Sequence, residues 1–121
     1  MQIINETYNE YCVGNVVVLT KQINKRTKKI NLDLVRIIDI DKNADQIIVK
    51  DYLNSFVFDF SGNDCTNANM HLYTKEQSIE LITQALNNKY LLFNGQEFLS
   101  EKNKKDLLEN FKKLIKANRI I

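Results

Sequence analysis

The chain has 121 residues, 44% of them hydrophobic and 26% charged, and its 17 Lys and Arg against 15 Asp and Glu leave a net charge of +2. That composition belongs to a folded globular domain and excludes a disordered tail; at this length roughly two-thirds of the unfolded chain's surface can be buried without disulfide or metal staples. No apolar run approaches the roughly 18 residues of a membrane span, so no membrane partner is expected.

The start, "MQIINETYNEYC", lacks the basic flank and apolar core of a signal peptide, which sets the expectation of a cytoplasmic protein. Charge is uneven along the chain: residues 1–30 hold five Lys/Arg and two acids, 31–64 three and seven, 65–121 nine and six. The middle is therefore acidic. Abundant Asn, Ile and Lys with no proline fit the codon bias of an AT-rich genome, such as that of a low-GC bacterium or its phage. Cys12 and Cys65, far apart in sequence, read as reduced small hydrophobes.

"VGNVVVLTKQI", Val13 to Ile23, is rich in β-branched residues and predicts a strand. "NKRTKK" makes a basic turn. Ile30 to Ile40 predicts a second strand, "DKNAD" a turn and Gln46 to Asp51 a third strand. With a period of two, "NLDLVRIID" puts Leu32, Leu34, Ile38 and Ile40 on one apolar face with Arg36 among them, and Asn31, Asp33, Val35, Ile37 and Asp39 on the other. Phe56, Phe58 and Phe60 alternate with Val57 and Asp59, as in a half-buried strand. Ser61 to His71 predicts a long irregular loop.

Thr74 and Gln77 form a helix-start capping box, and Ile79, Ile82 and Leu86, with Leu81 and Ala85, recur at helical spacing to about Asn87. "KYLLFNGQEFLS" follows, where Asn94-Gly95 signals a two-residue hairpin. Ser100 caps a last helix to about Asn118, with Leu107, Leu108, Phe111, Leu114 and Ile115 as its apolar stripe and lysines opposite. The fold class expected is α+β, in one domain: an amino-terminal antiparallel meander over residues 1–62, then helix, β-hairpin and helix over 72–121.

Three glycines cannot build a phosphate loop, and neither the cysteines, the serines nor the carboxylate pairs stand in a catalytic arrangement. The single His71 has no companions for a metal site and reads as an ordinary loop histidine. No enzyme activity, metal or cofactor is expected. The basic turn and the lysine face of the last helix carry no interleaved aromatics, so nucleic acid is not an expected partner and a solvated surface is the better reading.

Arginine is scarce: Arg26, Arg36 and Arg119 stand beside fourteen lysines. A guanidinium on an apolar face needs a carboxylate, carbonyls or an anionic ligand, and offers a planar bidentate fork for it. For Arg36 both a buried pair with an acid of residues 31–64 and a ligand phosphate remain open. The hairpin sets Tyr90, Phe93 and Phe98 around Asn94. A ring and an amide close together suit a purine or ribose, and a structural hairpin wedged between helices is the other reading. The ligand-binding candidates are Arg36, Tyr90, Phe93, Asn94 and Arg119.

In size, in its sheet-then-helices order and in the segment "YLLFNGQEFLSEKNKKDLLENFKKL", the chain resembles the phage Thoeris anti-defence sponge family. That resemblance implies a homo-oligomer that binds a cyclic ADP-ribose isomer, the signal made by bacterial immune TIR enzymes, at subunit interfaces in the infected host. It implies arginines on the phosphates, an aromatic ring on the base and no cleavage. The alternative is a phage inhibitor that blocks a host nuclease by protein contact, as anti-CRISPR proteins do, although such inhibitors are more often strongly acidic. A third reading is a small nucleic-acid-binding accessory protein using the basic turn. The apolar residues on both faces of the second strand predict symmetric dimers.

Overall fold

The computed structural model describes residues 7, 8, 10–24, 29–65, 69–87 and 100–120. Its elements are β1 (Thr7–Tyr8), β2 (Tyr11–Cys12), β3 (Val16–Asn24), β4 (Lys29–Asp41), β5 (Gln46–Lys50), β6 (Ser55–Phe58), β7 (Met70–Leu72), α1 (Lys75–Asn87) and α2 (Glu101–Ala117). The fold is α+β. The meander β3 to β6 forms as its β-branched runs predict, and β7 adds antiparallel to β3, giving the order β6-β5-β4-β3-β7. Two elements went unanticipated: the short β1-β2 ladder and β7, which lies at the end of the expected loop and extends the sheet to Leu72. His71 is accordingly a strand residue and not a loop one. The predicted hairpin from Tyr90 to Phe98, and the centre of the basic turn, residues 25–28, lie outside the described residues.

The sheet curls until its edges nearly meet. After β6 the Asp59 carboxylate accepts the N–H groups of Ser61 and Asn63, turning the chain across the gap. There Phe58 bridges Asp64 and Asn63 bridges His71, while Cys65 N–H donates to Val57 O at 3.0 Å and Leu72 N–H to Gly62 O at 2.7 Å. Edge strands thereby satisfy their backbone groups internally. Inside the curl pack Val17, Leu19, Val35, Ile37, Ile47, Val49, Phe58 and Leu72, with Tyr11 closing the interior. The Tyr11 hydroxyl donates to Leu72 O at 3.0 Å, and burial, followed by the nearby Asp59 and Tyr73, pushes its pKa up to about 12.

The outer face of β3 and β4 carries Val16, Val18, Leu32 and Leu34, and the two helices bury it with Ile82, Ala85, Leu108 and Ile115. Both faces of β4 are thus covered within one chain, which removes its two-faced apolarity as a reason for a partner. The strand also departs from a uniform alternation. A bulge between Ile37 and Asp39 shifts the register, so Ile40 joins Val35 and Ile37 inside while Ile38 is 43% exposed. Arg36 therefore shares its face with Leu32 and Leu34 but not with Ile40, and the face expected to be mixed is the inner core.

Where β7 does not reach, β3 takes its acceptors from the helices. Ser78 Oγ accepts Val18 N–H at 2.8 Å and donates to Thr74 O at 2.6 Å, and Asn118 Oδ1 accepts Val16 N–H at 3.2 Å. The capping box forms as expected: Thr74 N–H donates to Gln77 Oε1 at 3.0 Å and Gln77 N–H to Thr74 Oγ1 at 3.2 Å. Ser78 is fully buried. Ser78→Ala leaves the Val18 N–H without an acceptor and should lower unfolding free energy by about 1–3 kcal/mol, read from a urea transition. An unchanged midpoint would mean that the ladder end finds another partner.

Candidate functional site

Arg36 and Arg119, 83 positions apart in the numbering, line one open groove of about 420 Å³ together with Asp51, Tyr52 and Ile120. The register explains the meeting. Arg36 pairs with Val16 across the β3-β4 ladder, and the Val16 N–H is bonded to Asn118. Asn118 ends α2 in the left-handed conformation at φ 54°, a position that asparagine tolerates and that closes the helix, with Arg119 N–H returning to Leu114 O at 2.8 Å. Its side chain also accepts from Lys75 Nζ at 3.1 Å. One residue later comes Arg119, delivered to the groove by that clamp.

Arg36 is half-buried, and its guanidinium donates to the Gly14 carbonyl at 2.9 Å. Gly14, at φ +95°, turns the chain between β2 and β3 and presents that carbonyl. Among the described residues no ion pair joins Arg36 or Arg119 to a carboxylate. Across the next ladder Arg36 stands opposite Lys50, and like charges so placed repel unless an anion lies between them. Of the three partners a guanidinium on this face could have, one backbone carbonyl is present, and the rest of the fork opens to the groove.

The rim is the β5-β6 turn. Asp51 Oδ1 accepts the N–H groups of Leu53 at 2.8 Å and Asn54 at 2.6 Å, and Asp51 N–H donates to Asn54 O at 2.9 Å. This aspartate turn holds the loop tight and leaves Tyr52 79% and Leu53 83% exposed. A second hollow of about 260 Å³ adjoins the first across Asp51, Tyr52 and Ile120, with Asp33, Leu34 and Phe111 among its walls. Desolvation and the neighbouring Asp51 push the Asp33 carboxyl up, while Lys21 pulls it down. One end of the groove is thus cationic and the other apolar with carboxylates.

Searches against family profiles, curated proteins and solved structures find no match. The site therefore stands on its own geometry.

Of the five residues proposed from sequence, the structure brings Arg36 and Arg119 together, and Tyr90, Phe93 and Asn94 lie outside the described residues. Tyr52 was missed. Its signal was available: "DYLN" sets two large apolar side chains in a short turn between strands, where small polar residues are usual. A further hollow of about 220 Å³ lies between β7 and α1, lined by His71, Tyr73, Gln77, Glu80 and Gln84. Burial pushes the His71 imidazole down against the pull of Asp59, and its ring meets Tyr73 edge-on at 4.7 Å. Gln77 there is committed to the helix cap, and no arginine lines this hollow among the described residues.

Cys65 is exposed, and desolvation with the carboxylates of Asp59, Asp64 and Asp45 pushes its thiol up, away from the thiolate a nucleophile needs. Among the described residues no three His, Cys, Asp or Glu side chains gather as a metal site, and no helix is long and apolar enough to cross a membrane.

Proposed function

We propose that this protein binds and sequesters a small phosphorylated nucleotide signal, a cyclic ADP-ribose isomer being the candidate, as an anti-defence sponge of phage origin. The observation that carries the reading is the convergence of Arg36 and Arg119, free of carboxylate partners among the described residues, on a groove rimmed by the exposed ring of Tyr52. Two guanidinium forks grip phosphate oxygens bidentately, and an exposed tyrosine supplies a face on which a base stacks. The groove volume of about 420 Å³ is in the range of small-molecule sites. Sequestration competes with a receptor, so it needs tight binding, and a nanomolar constant corresponds to about −12 kcal/mol. A homo-oligomer belongs to the same reading, with Tyr52 and Leu53 as the apolar rim that a second copy would share.

Incubation with excess cyclic nucleotide, heat denaturation and mass analysis of what is released tests it, with light scattering on the same sample reporting the assembly. Intact ligand in fixed ratio to protein is the expected result. Conversion beyond one equivalent per site would make the protein an enzyme, and no retained ligand would remove the nucleotide reading. The exposed Tyr52-Leu53 tip also favours a second reading, inhibition of a host nuclease by insertion of that tip into the partner. In that case Tyr52→Ala abolishes nuclease inhibition, while cyclic nucleotides produce no heat of binding.

A further inference from the structure

The cationic groove and the apolar hollow meet along a short boundary, and Asp51, Tyr52 and Ile120 line both. On one side of that boundary stand Arg36 and Arg119, on the other Leu34, Leu53 and Phe111. A nucleotide has its parts in the same order: phosphate, sugar, base. With the phosphate at the arginines and the base stacked on Tyr52 toward the apolar hollow, the sugar lies at the boundary. Asp51 is the one charged residue lining both hollows among the described residues.

The Asp51 side chain is held in place before any ligand arrives. Its Oδ1 accepts the N–H groups of Leu53 at 2.8 Å and Asn54 at 2.6 Å, while its second oxygen has no hydrogen bond and the carboxylate no ion pair among the described residues. The turn alone does not require a charge there, since asparagine makes the same turn. A carboxylate beside two arginines weakens their hold on a phosphate, so what Asp51 offers a ligand is an acceptor for its donors. Between phosphate and base, those donors are the sugar hydroxyls. We infer that Asp51 is a specificity-determining residue of this groove, accepting a hydrogen bond from a sugar hydroxyl and so selecting ribonucleotides over their deoxy analogues. The inference rests on the nucleotide reading above. An analogue without the hydroxyl leaves the acceptor unpaired in the bound state, and sites built on such a contact discriminate for that reason. The competing role is structural, with Asp51 closing the β5-β6 turn and nothing more.

The test compares adenosine 5′-monophosphate with 2′,3′-dideoxyadenosine 5′-monophosphate by calorimetry at one ionic strength. Phosphate and base are the same in both, so the ratio of the two dissociation constants isolates the sugar hydroxyls. The wild-type protein should favour the ribonucleotide about tenfold, the low end for a hydrogen bond to a charged acceptor in an open groove. Asp51→Asn keeps the oxygen that closes the turn and should lower the ratio to about threefold, as a neutral contact is weaker. Asp51→Ser, whose single oxygen can serve the turn, should bring it to about one. The ratio is the readout because removing a carboxylate near the arginines strengthens binding of both phosphates. Any effect of the missing hydroxyls that does not pass through Asp51, such as a change of sugar pucker, persists in the variants and is thereby separated.

Equal constants in the wild type, or a preference that survives both substitutions, overturn the inference, leave the nucleotide reading standing and make Asp51 a turn residue only. If neither nucleotide binds, or if binding is indifferent to Arg36→Ala, the nucleotide reading falls, and the role of Asp51 with it.

Discussion

Arg36→Ala should abolish nucleotide binding, by a factor of a hundred or more, while lowering stability by only about 1 kcal/mol. The binding loss follows from truncating one side of a charge-assisted contact, which costs about 2–5 kcal/mol, and about 2.7 kcal/mol already corresponds to a hundredfold. The stability loss is small because the structure gives the guanidinium one hydrogen bond, to the Gly14 carbonyl, and no ion pair among the described residues. Removing a cation opposite Lys50 even relieves some repulsion. Had Arg36 been half of a buried pair, its loss would cost about 3–5 kcal/mol of folding energy. Arg36→Lys should rescue binding poorly, since an ammonium has the charge without the fork. Arg119→Ala should act in the same direction, and the double variant should be less than additive if both grip one phosphate group. Calorimetry beside urea denaturation separates the cases. A protein that loses binding only in proportion to its folded fraction would show Arg36 to be a structural residue.

The features legible in sequence were those set within a few residues. The capping box of Thr74 and Gln77 is a contact over three positions and forms as expected. The Ser100 cap, whose hydroxyl accepts Asn103 N–H, is equally local. The scarcity of arginine pointed to Arg36 and Arg119, yet their meeting depends on a hydrogen bond between Val16 and Asn118 across 102 positions, which no local pattern encodes. The bulge at Ile38 escaped because strict alternation assumes an uninterrupted ladder. One extra residue there moved Ile40 from the face of Arg36 to the inner core. β7 escaped because three residues, "MHL", carry too little period to be heard inside a loop, and they form a strand only because β3 and Gly62 offer hydrogen bonds on both sides.

That same closure gives the largest stability effect, at Gly62. Gly62 has φ +86°, and a Cβ built on it would overlap the Leu72 carbonyl oxygen and approach the His71 ring at 2.9 Å from Cε1 and 3.0 Å from Nε2. The Leu72 carbonyl cannot yield easily. Leu72 is fully buried and donates its own N–H to Gly62 O, and its carbonyl accepts from Tyr11. Gly62→Ala thus meets two costs, a left-handed backbone of about 1–2 kcal/mol and a displaced strand at the seam of the curled sheet, so about 3 kcal/mol or more is expected. Gly14 is the internal control. Its φ is +95°, yet a Cβ there meets nothing within 4 Å, so Gly14→Ala should cost only the backbone term. Urea midpoints of the two variants measure the difference directly. Equal losses would mean that the passage of residues 62–65 between β6 and β7 yields without resistance, and that the sheet does not depend on this seam for its closure.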